Sequence, residues 1–223
     1  MSKKIEVLGI QIDCMNADQE MERVVSLLEN DQPDTIGMVT MTTLLMAEQY
    51  PDWKKYLEGM AMLIIGEPEV LTAAGVEDGQ IMEEVKNNEF IAHFFWYLVR
   101  QDKGIFLLGE TQEEISDLRG YLIETYPGLK VIGAAVAAED TPSEAVMNEI
   151  NSSSADVIIS GLQGLRQERL VMENRHLIDC RIWFCLGEHP EIQSEAGVKS
   201  SWLGTLLRKS TFKRLAARYH NEK

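Results

Sequence analysis

Short, continuously apolar segments alternate with longer stretches of helical periodicity along almost the whole chain. Ile105-Phe-Leu-Leu108 and Val157-Ile-Ile159 are typical of strands that are buried on both faces. The predicted strands are Lys4–Ile12, Thr35–Thr40, Met62–Ile65, Gly104–Leu108, Lys130–Gly133, Asp156–Ser160 and Arg181–Leu186. Because strands and helices alternate, the sequence predicts an α/β fold, a Rossmann-like and mainly parallel sheet with helices on both faces.

Two of the predicted helices have a recognisable start. Asn16 is followed three residues later by Gln19, and Thr111 is followed three residues later by Glu114. These pairs are capping boxes, in which the first side chain accepts from the third helical N–H and the third side chain accepts in return. Apolar residues follow both pairs at helical spacing, so we expect helices to begin directly after residues 16 and 111.

Composition narrows the class of protein. The chain has 223 residues, 45% of them hydrophobic, which suits one larger domain with an appendage. No apolar run approaches the roughly 18 residues of a membrane span, and the N-terminus passes from charge into a strand without a signal peptide. The cysteines Cys14, Cys180 and Cys185 show no CxxC spacing and are expected to be buried thiols. The sequence therefore predicts a cytoplasmic protein.

The charge is unevenly distributed. The net charge of −15 argues against a nucleic-acid partner, because phosphate neutralisation requires Lys and Arg. Residues 199–223 contain seven basic residues and one acidic residue, so they carry +6 and the rest of the chain carries −21. This contrast predicts a domain over residues 1–197 and a basic C-terminal appendage over residues 198–223.

The appendage has the pattern of an amphipathic helix. Its apolar face consists of Phe212, Leu215, Ala216 and Tyr219, and the basic residues Lys209, Lys213, Arg214 and Arg218 lie mostly off that face. Such a helix is suited to an anionic membrane surface at the inner face of the membrane. The alternative is that the apolar face packs on the domain or on a neighbouring subunit, with the basic residues meeting acidic surface.

The turn after the predicted strand Asp156–Ser160 is a candidate binding site. Ligands of parallel sheets bind beyond the carboxyl ends of the strands, and Gly161 is followed there by Arg166, Gln167 and Glu168. The alternative is an ordinary strand–helix turn in which Glu168 interacts with the helix dipole. The turn lacks the third glycine of a dinucleotide fingerprint, which argues against an NAD enzyme. The four histidines have no metal-ligand spacing.

Eight segments in order resemble the WecG/TagA/CpsF family of bacterial glycosyltransferases. They are Val7–Asp13, Val39–Thr42, Ile105–Gly109, Tyr126–Gly133, Ile150–Ser152, Gly161–Glu168, Glu195–Gly197 and Arg218–Tyr219. The resemblance implies an inverting transferase that moves N-acetylmannosamine or a related sugar from UDP to a polyprenyl-diphosphate-linked acceptor, for cell-surface polysaccharide or teichoic acid. It also implies a homo-oligomer without a metal or other cofactor, which reaches the membrane through its C-terminal appendage.

Several family motifs are changed in this chain. Thr-Pro-Asn is replaced by Thr40-Met41-Thr42, and Pro-Asp-Gly, which carries the presumed base, is replaced by Gly66-Glu67-Pro68. The family's Gly-Gly becomes Gly109-Glu110, which puts a negative charge where a helix N-terminus should receive a diphosphate. Val136-Ala137 stands in place of Gly-Tyr, and Gln163–Glu168 keeps the cation, Gln and Glu but loses a glycine and the proline. The Arg-Ala-Pro before the appendage is missing.

The resemblance assigns roles to individual residues. Glu67 is the expected base that deprotonates the acceptor, Thr40 and Thr42 position sugar or acceptor, and Arg166 and Gln167 hold the diphosphate and sugar of the donor. The other expected substrate-binding residues are Gly109, Glu110, Gly133, Gly161, Glu168, Arg208 and Arg214. Because the donor pocket is altered, the alternative is a non-catalytic relative that binds a sugar nucleotide or a partner enzyme.

Overall fold

The computed structural model describes residues 3–30, 32–186, 212 and 215–217. The strands are β1 (Lys3–Val7), β2 (Ile10–Cys14), β3 (Asp34–Val39), β4 (Met62–Ile65), β5 (Gly104–Gly109), β6 (Lys130–Val136), β7 (Val157–Ser160) and β8 (Ile182–Cys185). The helices are α1 (Ala17–Glu29), α2 (Met41–Gln49), α3 (Pro51–Glu58), α4 (Pro68–Ala73), α5 (Gly79–Lys86), α6 (Glu89–Arg100), α7 (Gln112–Thr125), α8 (Ser143–Ser153) and α9 (Gly164–Asn174). Residues 212 and 215–217 are helical.

Six strands form one parallel sheet in the order β4-β3-β8-β7-β5-β6. Successive side chains of β5 enter different hydrophobic clusters, one on each face of the sheet. Phe106 and Leu108 pack with residues of α2, α3, α8 and α9. Ile105 and Leu107 pack with residues of α1, α6 and α7. Both faces are therefore covered by helices, and the predicted α/β class is confirmed.

The first predicted strand, Lys4–Ile12, is wrong. Its residues form an antiparallel hairpin, β1 with β2, which is separate from the main sheet. Leu8 and Gly9 have φ values of 51° and 71°, and two successive residues with positive φ are what a tight two-residue hairpin turn requires. The Leu63 N–H of β4 donates to Asp13 Oδ2 at 3.3 Å, which fastens the hairpin beside the edge of the sheet.

Both predicted capping boxes are present. Asn16 accepts from the Gln19 N–H at 2.9 Å, and Thr111 accepts from the Glu114 N–H at 3.2 Å. In each case the side chain of the third helical residue also accepts from the backbone of the capping residue. Helices α1 and α7 consequently begin at residues 17 and 112, as the sequence predicts.

The apolar face predicted for the C-terminal helix contributes to the core where the structure describes it. Phe212 and Ala216 are 1% and 8% exposed, and they belong to the same hydrophobic cluster as residues of α3 and α9. Leu215 packs against that cluster. Their burial favours the alternative in which this face packs on the domain. Among the described helices, none combines the length and hydropathy needed to cross a bilayer.

A carboxyl group is buried on the inner face of α1. Glu20, in α1, is only 5% exposed, and burial raises its pKa well above the ordinary value. The neighbouring carboxylates of Glu84 and Asp13 raise the pKa further. Glu84 itself accepts a hydrogen bond from the Ala17 N–H at 2.8 Å. Ionisation of Glu20 is therefore costly in the folded protein.

We expect Glu20→Gln to stabilise the protein at neutral pH. Because the pKa is raised by folding, the native state holds its proton more tightly than the unfolded chain does. Stability is then lost as pH rises above the unfolded value of about 4.3. The side-chain amide of the Gln variant does not ionise, so the variant does not lose stability in this way. Its gain in the free energy of unfolding over the wild type should be small near pH 4 and grow toward pH 7. Urea denaturation at a series of pH values measures it.

Glu22→Gln is the matched control, since Glu22 is an exposed carboxyl on the same helix. It should leave the pH dependence of the unfolding free energy unchanged. A Glu20→Gln variant whose stability follows the wild type at every pH would contradict the assignment of a buried, protonated carboxyl.

Candidate functional site

The candidate residues lie along the carboxyl edge of the parallel sheet. Because all six strands run the same way, the segments after them meet at one edge in the spatial order of the strands. Glu67 follows β4, and Thr40 follows the adjacent β3. Gly161 follows β7, and Glu110 follows the adjacent β5. Strand β8 separates the two pairs, so their nearest members, the ends of β3 and β7, are about 10 Å apart, two strand spacings. Glu67 and Glu110 follow the outer strands of the two pairs and are four spacings apart.

A carboxylate lies at the β3–β4 half of this edge. The Met41 N–H, at the start of α2, donates to Glu67 Oε2 at 2.8 Å. Glu67 is half-buried, and its backbone also precedes the first residue of α4. The contact satisfies one of the N–H groups that a helix leaves unpaired at its start. It therefore holds the carboxylate beside the first turn of α2.

The two threonines of this half differ in exposure. Thr40 is 1% exposed, and its hydroxyl accepts from the Thr43 N–H at 3.2 Å as the N-cap of α2. Its hydroxyl therefore caps a helix in this structure. Thr42 is half-buried in the first turn of α2 and lines a small cavity behind that helix. The structure thus brings Glu67, Thr40 and Thr42 together at one helix N-terminus.

Acidic side chains also cap the helices of the β5–β7 half. Glu114 Oε2 accepts from the N–H groups of Glu110 and Thr111, at 2.9 and 3.2 Å, at the start of α7. Glu110 Oε1 accepts from the Gln163 N–H at 3.2 Å, at the start of α9. A helix N-terminus is the usual binding place of a phosphate. Here the chain's own carboxylates occupy part of two such termini.

A cation lies beside these two helix starts. Arg166, in the first turn of α9, donates from its guanidinium to the Ala138 carbonyl oxygen in the segment after β6. The Nε atom of Arg166 is buried without a hydrogen-bond partner among the described residues. The guanidinium therefore links the ends of β6 and β7 across the end of β5, where Glu110 lies.

Two glycines allow close packing at this half. A Cβ atom on Gly109 would lie 2.9 Å from Ile115 Cγ1, so only glycine lets β5 approach α7 this closely. The Gly161 N–H donates to the Leu108 carbonyl oxygen at 2.8 Å, which extends the pairing of β5 and β7 by one residue. Gly109 and Gly161 therefore contribute to this edge by close packing and by a backbone hydrogen bond, respectively.

The predicted end of β6 at Gly133 is wrong. The strand continues to Val136, because the small residues after Gly133 pair with β5 up to Gly109. A Cβ atom on Gly133 would lie 2.7 Å from the ring of Phe106, its partner in the register. Gly133 therefore lies inside the sheet, three residues before the carboxyl edge, where it makes room for an aromatic ring.

Gln167 is buried beneath the edge. It is 1% exposed, and its side chain contributes a hydrogen bond to Cys185 of β8. The Tyr56 hydroxyl lies 3.6 Å from Cys185 Sγ. Burial raises the pKa of Cys185 to about 12, although the hydrogen bonds from Tyr56 and Gln167 oppose this rise. Burial also raises the pKa of Tyr56 well above its ordinary value. These three residues form a neutral polar cluster.

Glu168 faces a different part of the surface. With Asp52, Arg169, Glu173 and other residues of α3 and α9 it lines a cleft of about 430 Å³ on the flank of the sheet. Burial, followed by the charge of Asp52, raises the pKa of Glu168. The structure therefore does not place Glu168 with Glu67 or with Glu110.

Two predicted binding residues, Arg208 and Arg214, lie outside the described residues. Within residues 3–30, 32–186, 212 and 215–217, no group of three or more His, Cys, Asp or Glu side chains is arranged to hold a metal ion.

Fold and site together define a class of protein. A parallel sheet covered on both faces, with a carboxylate, a guanidinium and helix N-termini at its carboxyl edge, is an α/β protein with a binding edge for a polar or anionic ligand. The sequence model of the WecG/TagA/CpsF glycosyl transferase family matches residues 5–200. This chain therefore belongs to the WecG/TagA/CpsF glycosyltransferase family. No curated protein sequence matches it.

Sequence reasoning missed the capping role of the acidic residues at this edge. The capping box identifies Glu114 as a helix residue, but the pattern does not show that its oxygen also reaches the Glu110 N–H. The contact from Gln163 to Glu110 joins residues 53 positions apart, so local sequence carries no signal for it. The sequence around Tyr56 does not indicate its contact with the distant Cys185 either.

Proposed function

We propose that this protein transfers a sugar from a UDP-sugar donor to a polyprenyl-diphosphate-linked acceptor at the carboxyl edge of the sheet. The observation that supports it best is the placement of Glu67, whose carboxylate is held by the Met41 N–H beside Thr42. Transfer with inversion requires a base for the acceptor hydroxyl. The Met41 N–H orients this carboxyl group, which in its ionised form can accept that proton.

The donor would bind at the other half of the edge. The starts of α7 and α9 and the guanidinium of Arg166 supply the N–H groups and positive charge that a diphosphate needs, without a metal ion. Glu67 follows β4, which is three strand spacings, about 14 Å, from the end of β7 where α9 begins. This distance leaves room for the sugar and the acceptor hydroxyl between diphosphate and base. An N-acetylmannosamine-like sugar is the one that the family resemblance implies.

A lipid-linked acceptor requires the protein to reach the membrane surface. We propose a peripheral position at its inner face, with a homo-oligomer as the active form. The burial of Phe212 and Ala216 assigns the apolar face of the C-terminal helix to the core. Membrane contact would therefore depend on the basic residues of the appendage, each of which contributes about 1 kcal/mol near an anionic leaflet.

The second candidate function is binding of a sugar nucleotide or partner enzyme without transfer. The carboxylates of Glu110 and Glu114 favour it, because they accept from N–H groups that a diphosphate would otherwise use. Thermal-shift and transfer assays over a set of sugar nucleotides separate the candidates. A donor at 100 times its Kd stabilises the fold by about 2.7 kcal/mol in either case, whereas only the enzyme releases UDP and a glycosylated lipid.

Glu67→Gln should abolish transfer and leave donor binding nearly unchanged. A general base typically contributes about 10²–10⁴-fold to the rate, mainly in the transition state. The turnover number should fall by that factor in an assay that follows UDP release. Glu67→Asp restores the residue of the family motif and should keep activity.

Two results would count against this assignment. Robust transfer by Glu67→Gln would move the base to another residue. The wild-type protein could also bind a sugar nucleotide without transferring the sugar to any lipid-linked acceptor. That result would favour the second candidate function, binding without transfer.

Glu110→Gly should strengthen UDP binding. The substitution removes a negative charge and frees the Gln163 N–H at the start of α9 for a phosphate oxygen. We expect the Kd, measured by calorimetry, to fall roughly tenfold, or ~1.4 kcal/mol. Glu113→Gly is the matched control, since it removes the same charge from the exposed side of the same helix start. Equal affinities in the two variants would show that the diphosphate binds elsewhere.

The basic appendage should bind anionic vesicles in a salt-dependent manner. Replacing Lys209 and Lys213 by Gln should weaken co-sedimentation at low salt by roughly 30-fold, which corresponds to ~2 kcal/mol. The control replaces Lys55 and Lys86, two exposed lysines of the acidic body, and should bind as the wild type does. If the wild type, the variant and the control all sediment equally with neutral and anionic vesicles, the proposal of an electrostatic attachment is wrong.

A further inference from the structure

A small cavity lies behind α2, between that helix, α3 and α9. Its volume is about 20 Å³, and its wall includes Gly37, Thr42, Met46, Gln167 and Cys185. A cavity of roughly 10–15 Å³ is already large enough for one water molecule. The cavity therefore has the size of a single hydration site and is too small for a sugar or a phosphate.

One buried acceptor on this wall needs a hydrogen bond. Gln167 is 1% exposed, and its Oε1 atom is buried without a hydrogen-bond partner among the described residues. An unpaired buried carbonyl costs about 1–3 kcal/mol, so such groups are rare in native proteins. The amide cannot turn to solvent, because the side chain lies beneath the sheet edge beside Cys185.

Other polar groups surround the same space. The hydroxyl of Thr42 and the thiol of Cys185 belong to residues of the cavity wall. Buried waters typically make two to four hydrogen bonds, about three on average. A water in the cavity would therefore have the Gln167 carbonyl as its first partner, with a second from the other polar residues of the wall.

We propose that one ordered internal water occupies this cavity and donates a hydrogen bond to Gln167 Oε1. This water lies between α9, α2 and β8, and it contacts α9 through the buried amide of Gln167. Gln167 is then a positioning residue for the first turn of α9, which also carries Arg166, and does not itself touch a ligand. The inference concerns the protein alone and is independent of the proposed transfer.

A high-resolution crystal structure of the ligand-free wild-type protein tests the site directly. We expect density for one water oxygen about 2.7–3.2 Å from Gln167 Oε1. In solution, oxygen-17 relaxation dispersion should count one fewer long-lived water in Gln167→Met than in the wild type, because Met keeps the bulk of Gln but offers no carbonyl. Gln112→Met, at an exposed position of α7, is the control and should keep the wild-type count.

Three outcomes would overturn the proposal. The first is a dry cavity in the wild-type density, including one in which the reversed amide pairs its oxygen with the Cys185 thiol. The second is density for a group larger than water. The third is an unchanged count of long-lived waters in folded Gln167→Met. If that variant does not fold, the wild-type density decides alone.

Discussion

Backbone N–H groups at helix starts must find acceptors, and the architecture of the candidate site depends on how this chain provides them. A helix leaves its first N–H groups without partners inside the helix. Three of the helices that begin at the carboxyl edge, α2, α7 and α9, receive carboxylates at their starts from Glu67, Glu114 and Glu110. The same N–H groups that attract these side chains would attract the phosphates of a nucleotide. Stabilising the fold and binding an anion therefore draw on the same donors.

The two halves of the edge differ in how their carboxylates use these N–H donors. On the β3–β4 half, a single carboxylate accepts from the start of α2, and this contact is compatible with the proposed role of Glu67 as a base. On the β5–β7 half, two carboxylates accept from helix starts beside the positive charge of Arg166. If the diphosphate of the proposed donor binds there, it displaces at least one of these internal contacts. Gln167, Tyr56 and Cys185 are buried behind these helix starts, where their polar groups contact one another.

Local sequence signals predict the helix starts of this fold better than its hairpin and its strand ends. The capping boxes at Asn16 and Thr111 are correctly predicted, because a cap involves residues only three positions apart. The sequence does not predict the hairpin of β1 and β2, because leucine rarely adopts positive φ. Leu8 does so here in a buried turn. The end of β6 was misplaced, because Gly133 marks a close approach of Phe106 and not the end of the strand.

By itself, the sequence determined the alternation of strands and helices, hence the α/β class, and it carried enough of the family pattern to place the chain among the WecG/TagA/CpsF glycosyltransferases. Those properties depend on periodicity and short motifs, which are local. The tertiary structure alone decided which candidate residues meet. Strand order puts β3, β8 and β7 between the ends of β4 and β5, and so separates Glu67 from Glu110. Helix packing places Glu168 in a separate cleft and buries Gln167. Such contacts join residues far apart in the chain, so only the packing of the sheet and its helices determines them.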